Sequence, residues 1–149
     1  MPSIMKSMNA ISRAQAQFRT ERAVSDELGA CHWAFIFAVN RNPGMTQEEL
    51  ARELCLNKST VARSLTHLEE HGFVERRGDS QDKRVLLVYL TEKAVQILPK
   101  LRSVTKEWNG LISGGIKDSD MEIFFSVLSR MEHNAKVAIG VECGEACEK

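Results

Sequence analysis

The chain has 149 residues and a mass of 16.7 kDa, room for one ordinary domain with helical extensions but not for a large multidomain enzyme. Hydrophobic residues make up 43% and charged residues 27%, a balance that supports a real core and excludes wholesale disorder or a fibrous repeat. Lys+Arg and Asp+Glu each number 20, so the net charge is zero and the whole-chain balance points to neither nucleic acid nor anionic membrane.

No run approaches the roughly 18 consecutive apolar residues that a membrane-spanning helix needs. The first 22 residues mix Lys6, Arg13, Gln15, Gln17 and Arg19 among the apolar ones and lack a continuous signal-peptide core, so a cytoplasmic location is expected. The cysteines at 31, 55, 143 and 147 are too few and too unevenly spaced for a disulfide framework, and reduced thiols are expected.

From Ile4 to Arg22, Ile4, Met8, Ile11 and Phe18 fall on one helical stripe. A second helix is expected from about Ala30 to Arg41, where Trp33, Phe35, Ile36, Phe37 and Val39 surround nearly the whole circumference, the pattern of a buried helix. Asn42-Pro43-Gly44 ends it, since Pro pushes its predecessor out of the α region. Thr46 to Glu49 reads as a capping box for a short helix ending near Leu54. Asn57 caps another running to His71, with Val61, Leu65 and Leu68 facing inward and Gly72 as its stop. Residues 73–77 and 85–90 flank turn chemistry at 78–82 and read as a hairpin. Thr91 caps a long helix through Leu98, Leu101, Val104, Trp108 and Leu111, bent at Pro99. Asp118 or Ser119 opens the last helix, with a stripe of Met121, Phe124, Phe125, Leu128, Met131 and Ala135.

This order predicts a mainly α fold with a small β-hairpin wing. A winged helix-turn-helix unit covers 30–91, with its helix-turn-helix at 46–71 and its wing at 73–91. In that arrangement the second helix enters the DNA major groove and the hairpin reaches alongside. The helix face left outside by Val61, Leu65 and Leu68 carries Asn57 and Lys58 at its start, then Ser59, Thr60, Arg63 and Thr66. Small polar residues and cations suit close approach to phosphates and base edges. An ordinary solvated face would also explain Lys58 or Arg63 alone. The combination with Arg76, Arg77, Lys83 and Arg84 around the hairpin turn favours DNA, because a narrow minor groove attracts an inserted Arg. Asp82 either pairs with the Arg84 guanidinium, fixing its direction, or is a turn-forming Asp.

These residues carry a family resemblance. Asp82-Lys83-Arg84 followed after five residues by Leu90-Thr91 matches the D-x-R-x(5)-L-T wing signature of the MarR (multiple antibiotic resistance regulator) transcription factors. Thr46 to Ala51, Lys58 to Val61 and Leu68 to Arg76 resemble that family in the same order. The resemblance covers nearly the whole chain as a single domain over 1–149. It implies an obligate homodimer binding a double-stranded pseudo-palindromic operator, often as a repressor released by a small anionic or phenolic effector or by oxidation. It also implies that Arg84 enters the minor groove with Asp82 as its partner.

The apolar stripes agree about the dimer. Residues 1–25 and 92–140 present more apolar surface than a winged unit of roughly 60 to 70 residues can bury, beyond the few hundred Å² that monomers expose. Cys31 and His32 are adjacent on a helix, point about 100° apart and have no third group to orient them, so no catalytic residue is assigned. Cys143 and Cys147 lie in an acidic tail, and a thiol-based redox regulator is the alternative they would support. No cofactor or metal is expected. His32 and Trp33 are candidate ligand contacts by the family's pocket position, with core packing the stronger reading for Trp33. A winged helix used only for protein contacts is the other alternative, and salt dependence separates it from DNA binding.

Overall fold

The computed structural model describes residues 3–140, so the tail bearing Cys143 and Cys147 lies outside the described residues. Helix α1 spans Ile4–Glu21, with the Ser3 side chain accepting from the Lys6 N–H. A loop and one 3-10 turn, Ala30–His32, lead into α2, Trp33–Arg41. Strand β1 is only Met45–Thr46, and helix α3 (Gln47–Glu53) follows at once. Helix α4 covers Lys58–Glu70, strands β2 and β3 cover Val74–Gly78 and Leu86–Leu90, and helices α5 and α6 cover Glu92–Ser113 and Asp118–Ala138.

Local chemistry sets most of these boundaries. The Thr46 hydroxyl accepts from the Glu49 N–H while the Glu49 carboxylate accepts from the Thr46 N–H at 2.7 Å, a complete capping box. Asn57 accepts from the Thr60 N–H at 2.8 Å and starts α4. Gly72 takes φ +72° and stops it. Thr91 caps α5 through the Ala94 N–H, and α5 continues through Pro99.

The sheet has the order β1-β3-β2, antiparallel throughout, with Val74 opposite Leu90 and Met45 opposite Val88. The β1 pairing was not expected from the sequence. It depends on Gly44, whose φ of +83° reverses the chain after α2 and whose N–H donates to the Val88 carbonyl. A Cβ there would lie 2.9 Å from the Tyr89 hydroxyl, so the bend is confined to glycine.

Trp33, Phe35, Ile36 and Val39 of α2, Val61, Leu65 and Leu68 of α4, and Leu98 and Leu101 of α5 meet in one core with Phe73 and Val88. Burying such side chains stabilises by about 1.5–3 kcal/mol each. This core fixes the unit from α2 to β3 as one body with the start of α5. The outer helices differ: α1 and α6 have no buried side chain. Their stripes stand exposed at Ile4, Met5, Met8, Ile11, Ile123, Phe124, Phe125 and Val127. Arg22 ties α1 to α5 by a forked contact with Glu107, at 2.7 Å from its terminal nitrogen.

Candidate nucleic-acid interface

With Val61, Leu65 and Leu68 fully buried, α4 turns Lys58, Ser59, Arg63 and Thr66 to solvent and leaves Thr60 half-buried. Asn57 is exposed at the helix start, but its side chain is occupied by the cap, accepting from the Thr60 N–H and the Ser59 hydroxyl, both at 2.8 Å. The hairpin rises from the end of the same helix, joined by Gly72 and Phe73. It ends in a turn from Asp79 to Val85, where Asp79 N–H donates to the Val85 carbonyl and Val85 N–H to the Asp82 carbonyl.

The six candidate cations divide into two groups. Arg76 is turned back from the wing onto α4. Its Nε donates to Glu69 at 3.0 Å, its terminal nitrogen donates to the same carboxylate, and its backbone N–H donates to the other oxygen. This contact holds the Glu69 carboxyl below its ordinary range. Arg77 bonds Glu75 and lies over the Tyr89 ring, 4.8 Å from its centroid. Lys58 bonds Glu48 across the helix-turn-helix. By contrast, Arg63, Lys83 and Arg84 are exposed and form no ion pair among the described residues. Of the six candidates, Arg76 is thus held as a strut between β2 and α4, and Lys58 and Arg77 are partly neutralised by their acidic partners.

Asp82 also differs from one of its two sequence readings. Its Oδ1 accepts from the Arg84 backbone N–H at 3.0 Å and forms no ion pair with the guanidinium. The two-residue spacing favours this Asx turn over a side-chain pair, so Asp82 shapes the wing and leaves the Arg84 head free. These pairings reconcile the zero net charge with a cationic face. Residues 46–91 carry seven basic and eight acidic groups, but several of the acids are occupied at α3, α4 and β2. The recognition face and the wing tip keep unpaired cations.

Arg76→Ala is expected to lower stability by about 1 kcal/mol, a modest figure because the Glu69 side chain is 38% exposed and solvent screens the pair. The midpoint of thermal unfolding should fall by about 2–4 °C. Because the Glu69 carboxyl is depressed, this contribution is present above the ordinary carboxylate range and disappears as pH falls through the lowered value, where wild type and variant should converge in a melting series.

The two candidate ligand contacts differ in their surroundings. Trp33 is 1% exposed in the core, with Arg19 stacked over its ring, and His32 stacks on His67 of α4. An open cleft of about 380 Å³ lies between α2 and α5, lined by Phe37, Arg102, Thr105, Lys106 and Asn109. Sequence reasoning passed over Arg102 and Lys106. Their spacing of four, which puts both on one face of α5, was the available signal.

A buried three-helix body, an outward second helix and a cationic hairpin define a winged helix-turn-helix DNA-binding protein. Residues 32–86 match the MarR family. The chain is 25% identical over 134 residues to the uncharacterized HTH-type transcriptional regulator YybA of Bacillus subtilis (strain 168), covering 90% of this chain and 89% of that one. It is 29% identical over 97 residues to the HTH-type transcriptional regulator BilQ of Clostridium symbiosum (strain WAL-14163), covering 65% and 67%. Its structure superposes on that of the transcriptional regulator SlyA with a TM-score of 0.84 at 25% identity, over 91% of this chain and 96% of the other. Residues 32–86 are thus similar to the MarR family's helix-turn-helix segment, and over nearly its whole length the chain is similar to HTH-type transcriptional regulators.

Proposed function

We propose that the protein is a cytoplasmic, homodimeric repressor that binds a pseudo-palindromic operator and is released by a small-molecule effector. The observation that carries this reading is that Arg63 on α4 and Lys83 and Arg84 on the wing that follows it are exposed and form no ion pair among the described residues. In this reading the winged unit spans 30–91, and residues 1–25 and 92–140 supply the dimer contact. The absence of any fully buried side chain on α1 and α6 supports that division. Asn57, Lys58, Ser59, Thr60, Arg63 and Thr66 form the major-groove face. Lys83 and Arg84 form the wing contact, with Asp82 shaping it.

The α2–α5 cleft supports an effector role. Arg102 and Lys106 beside the Phe37 ring suit a small aromatic anion, one charge facing the cations and the ring lying on Phe37. Among the described residues no helix is long and apolar enough to cross a membrane.

The test is base preference. Arg63 is placed to read guanine through paired donors, so Arg63→Ala should lose about 1–3 kcal/mol of discrimination at one position per half-site. Sites selected by the variant from random DNA should be degenerate there and unchanged elsewhere. A selected site identical to that of the wild type would remove Arg63 from base reading. With three unpaired cations per protomer, the logarithm of affinity should fall against the logarithm of salt with a slope of about −5.

A further inference from the structure

Three of the chain's four histidines, at positions 32, 67 and 71, meet in one stack. The His32 and His67 rings lie with centroids 4.5 Å apart and planes 20° apart, and His67 and His71 lie 4.1 Å apart at 34°. His32 ends the 3-10 turn that starts α2, whereas His67 and His71 occupy the last turn and the C-cap of α4. The stack therefore bridges the recognition helix and the segment leading back to α1. The fourth histidine, His133, is exposed on α6.

Hydrogen bonds fix the protons of two rings. His67 Nε2 lies 3.0 Å from the Glu27 carbonyl oxygen and His71 Nδ1 lies 2.8 Å from the His67 carbonyl oxygen. A carbonyl only accepts, so those nitrogens carry hydrogen. His32 Nδ1 is buried without a partner. Counter-charge around the stack is already committed. The Glu27 carboxylate, on the loop before the 3-10 turn, accepts from Lys93 of α5 at 2.5 Å. Lys93 also donates to the His71 carbonyl at 2.8 Å and lies over Phe73. On α4, Glu69 is held by Arg76 and Glu70 faces solvent; Phe35 of α2 presents its edge to His32, and Cys31 is exposed beside it.

We propose that His32, His67 and His71 form a proton-sensitive clasp that seats the C-terminal end of the recognition helix on the start of α2 and opens on acidification, lowering operator affinity. Neutral imidazoles stack without penalty. Protonated neighbours about 4 Å apart repel, and the Glu27 carboxylate, which reaches His71 electrostatically, is shared with Lys93. Burial first, then the adjoining His67 and His71, pushes the His32 imidazole below its ordinary range. The folded protein then binds fewer protons than the unfolded chain, so this contribution is present above the ordinary imidazole range and is lost as pH falls through the His32 value. The DNA consequence rests on the operator reading above; the opening of the clasp does not.

His32→Phe keeps a stacking ring and removes the proton, and His133→Gln serves as control. Between about pH 7.5 and about pH 5.5 at fixed salt, wild type and control should lose about tenfold in operator affinity, with a parallel fall in melting temperature. His32→Phe should match wild type at the higher pH and lose less than about threefold. Parallel pH profiles for His32→Phe and wild type would overturn the clasp. Should the variant not fold, amide protection factors of residues 65–71 in the wild type decide the matter: they should drop on acidification, and constancy would overturn the proposal. Absence of a DNA complex at every pH would count against the operator reading alone, because melting and protection still judge the clasp.

Discussion

Arg84→Ala is expected to weaken operator binding by about 10- to 100-fold while leaving the melting temperature and the dimer unchanged. The expectation follows from how the wing divides its labour. Asp82 fixes the Arg84 backbone through the N–H bond at 3.0 Å, and the side chain beyond it is exposed and forms no ion pair among the described residues. It therefore loses no internal contact on entering a groove and leaves no orphan behind when truncated. A narrow minor groove concentrates negative potential on such a group. Arg76 provides the contrast, since its head is already held by Glu69 and its removal should register in stability. Fluorescence anisotropy on a fixed operator at fixed salt checks the effect. An unchanged dissociation constant would contradict the wing assignment.

Phe125→Asp is expected to raise the dimer dissociation constant by at least about a hundredfold and to abolish tight operator binding with it. Phe125 is 57% exposed and stands edge-on to Phe124 at 5.7 Å, with Ile123 and Val127 exposed beside it. No side chain of α6 is buried within the protomer, so this helix gains its apolar burial only from another surface. A carboxylate forced into that surface costs several kcal/mol of desolvation without a partner. Sedimentation velocity across a concentration series reads the equilibrium, and circular dichroism at high concentration separates dissociation from unfolding. A variant that stays dimeric would place the interface elsewhere.

Much of the fold was legible because its determinants are local. The Thr46–Glu49 box, the Asn57 cap, the Gly72 stop and the Thr91 cap each act within a few residues, and each stands where the residue types put it. The inward set Val61, Leu65 and Leu68 followed from helical spacing. What escaped depends on contacts across the chain. Strand β1 has two residues and pairs with Val88 and Leu87 some forty positions later, too short for a periodic signal. The Glu69–Arg76 strut and the Lys58–Glu48 pair cross turns, so a count of cations overstated those that remain unpaired. His32 and Trp33 illustrate the same limit at the ligand site: neighbours on one turn, they separate into a histidine stack and the core, while the open cleft takes Arg102 and Lys106 from α5.

Selection of binding sites from random duplex DNA by the purified protein tests the central claim most directly. The account predicts enrichment of a pseudo-palindrome whose half-site centres lie about one helical turn, roughly 34 Å, apart, as two recognition helices related by a twofold axis require. Enrichment of a single unrepeated half-site, or of no sequence at all, would contradict it.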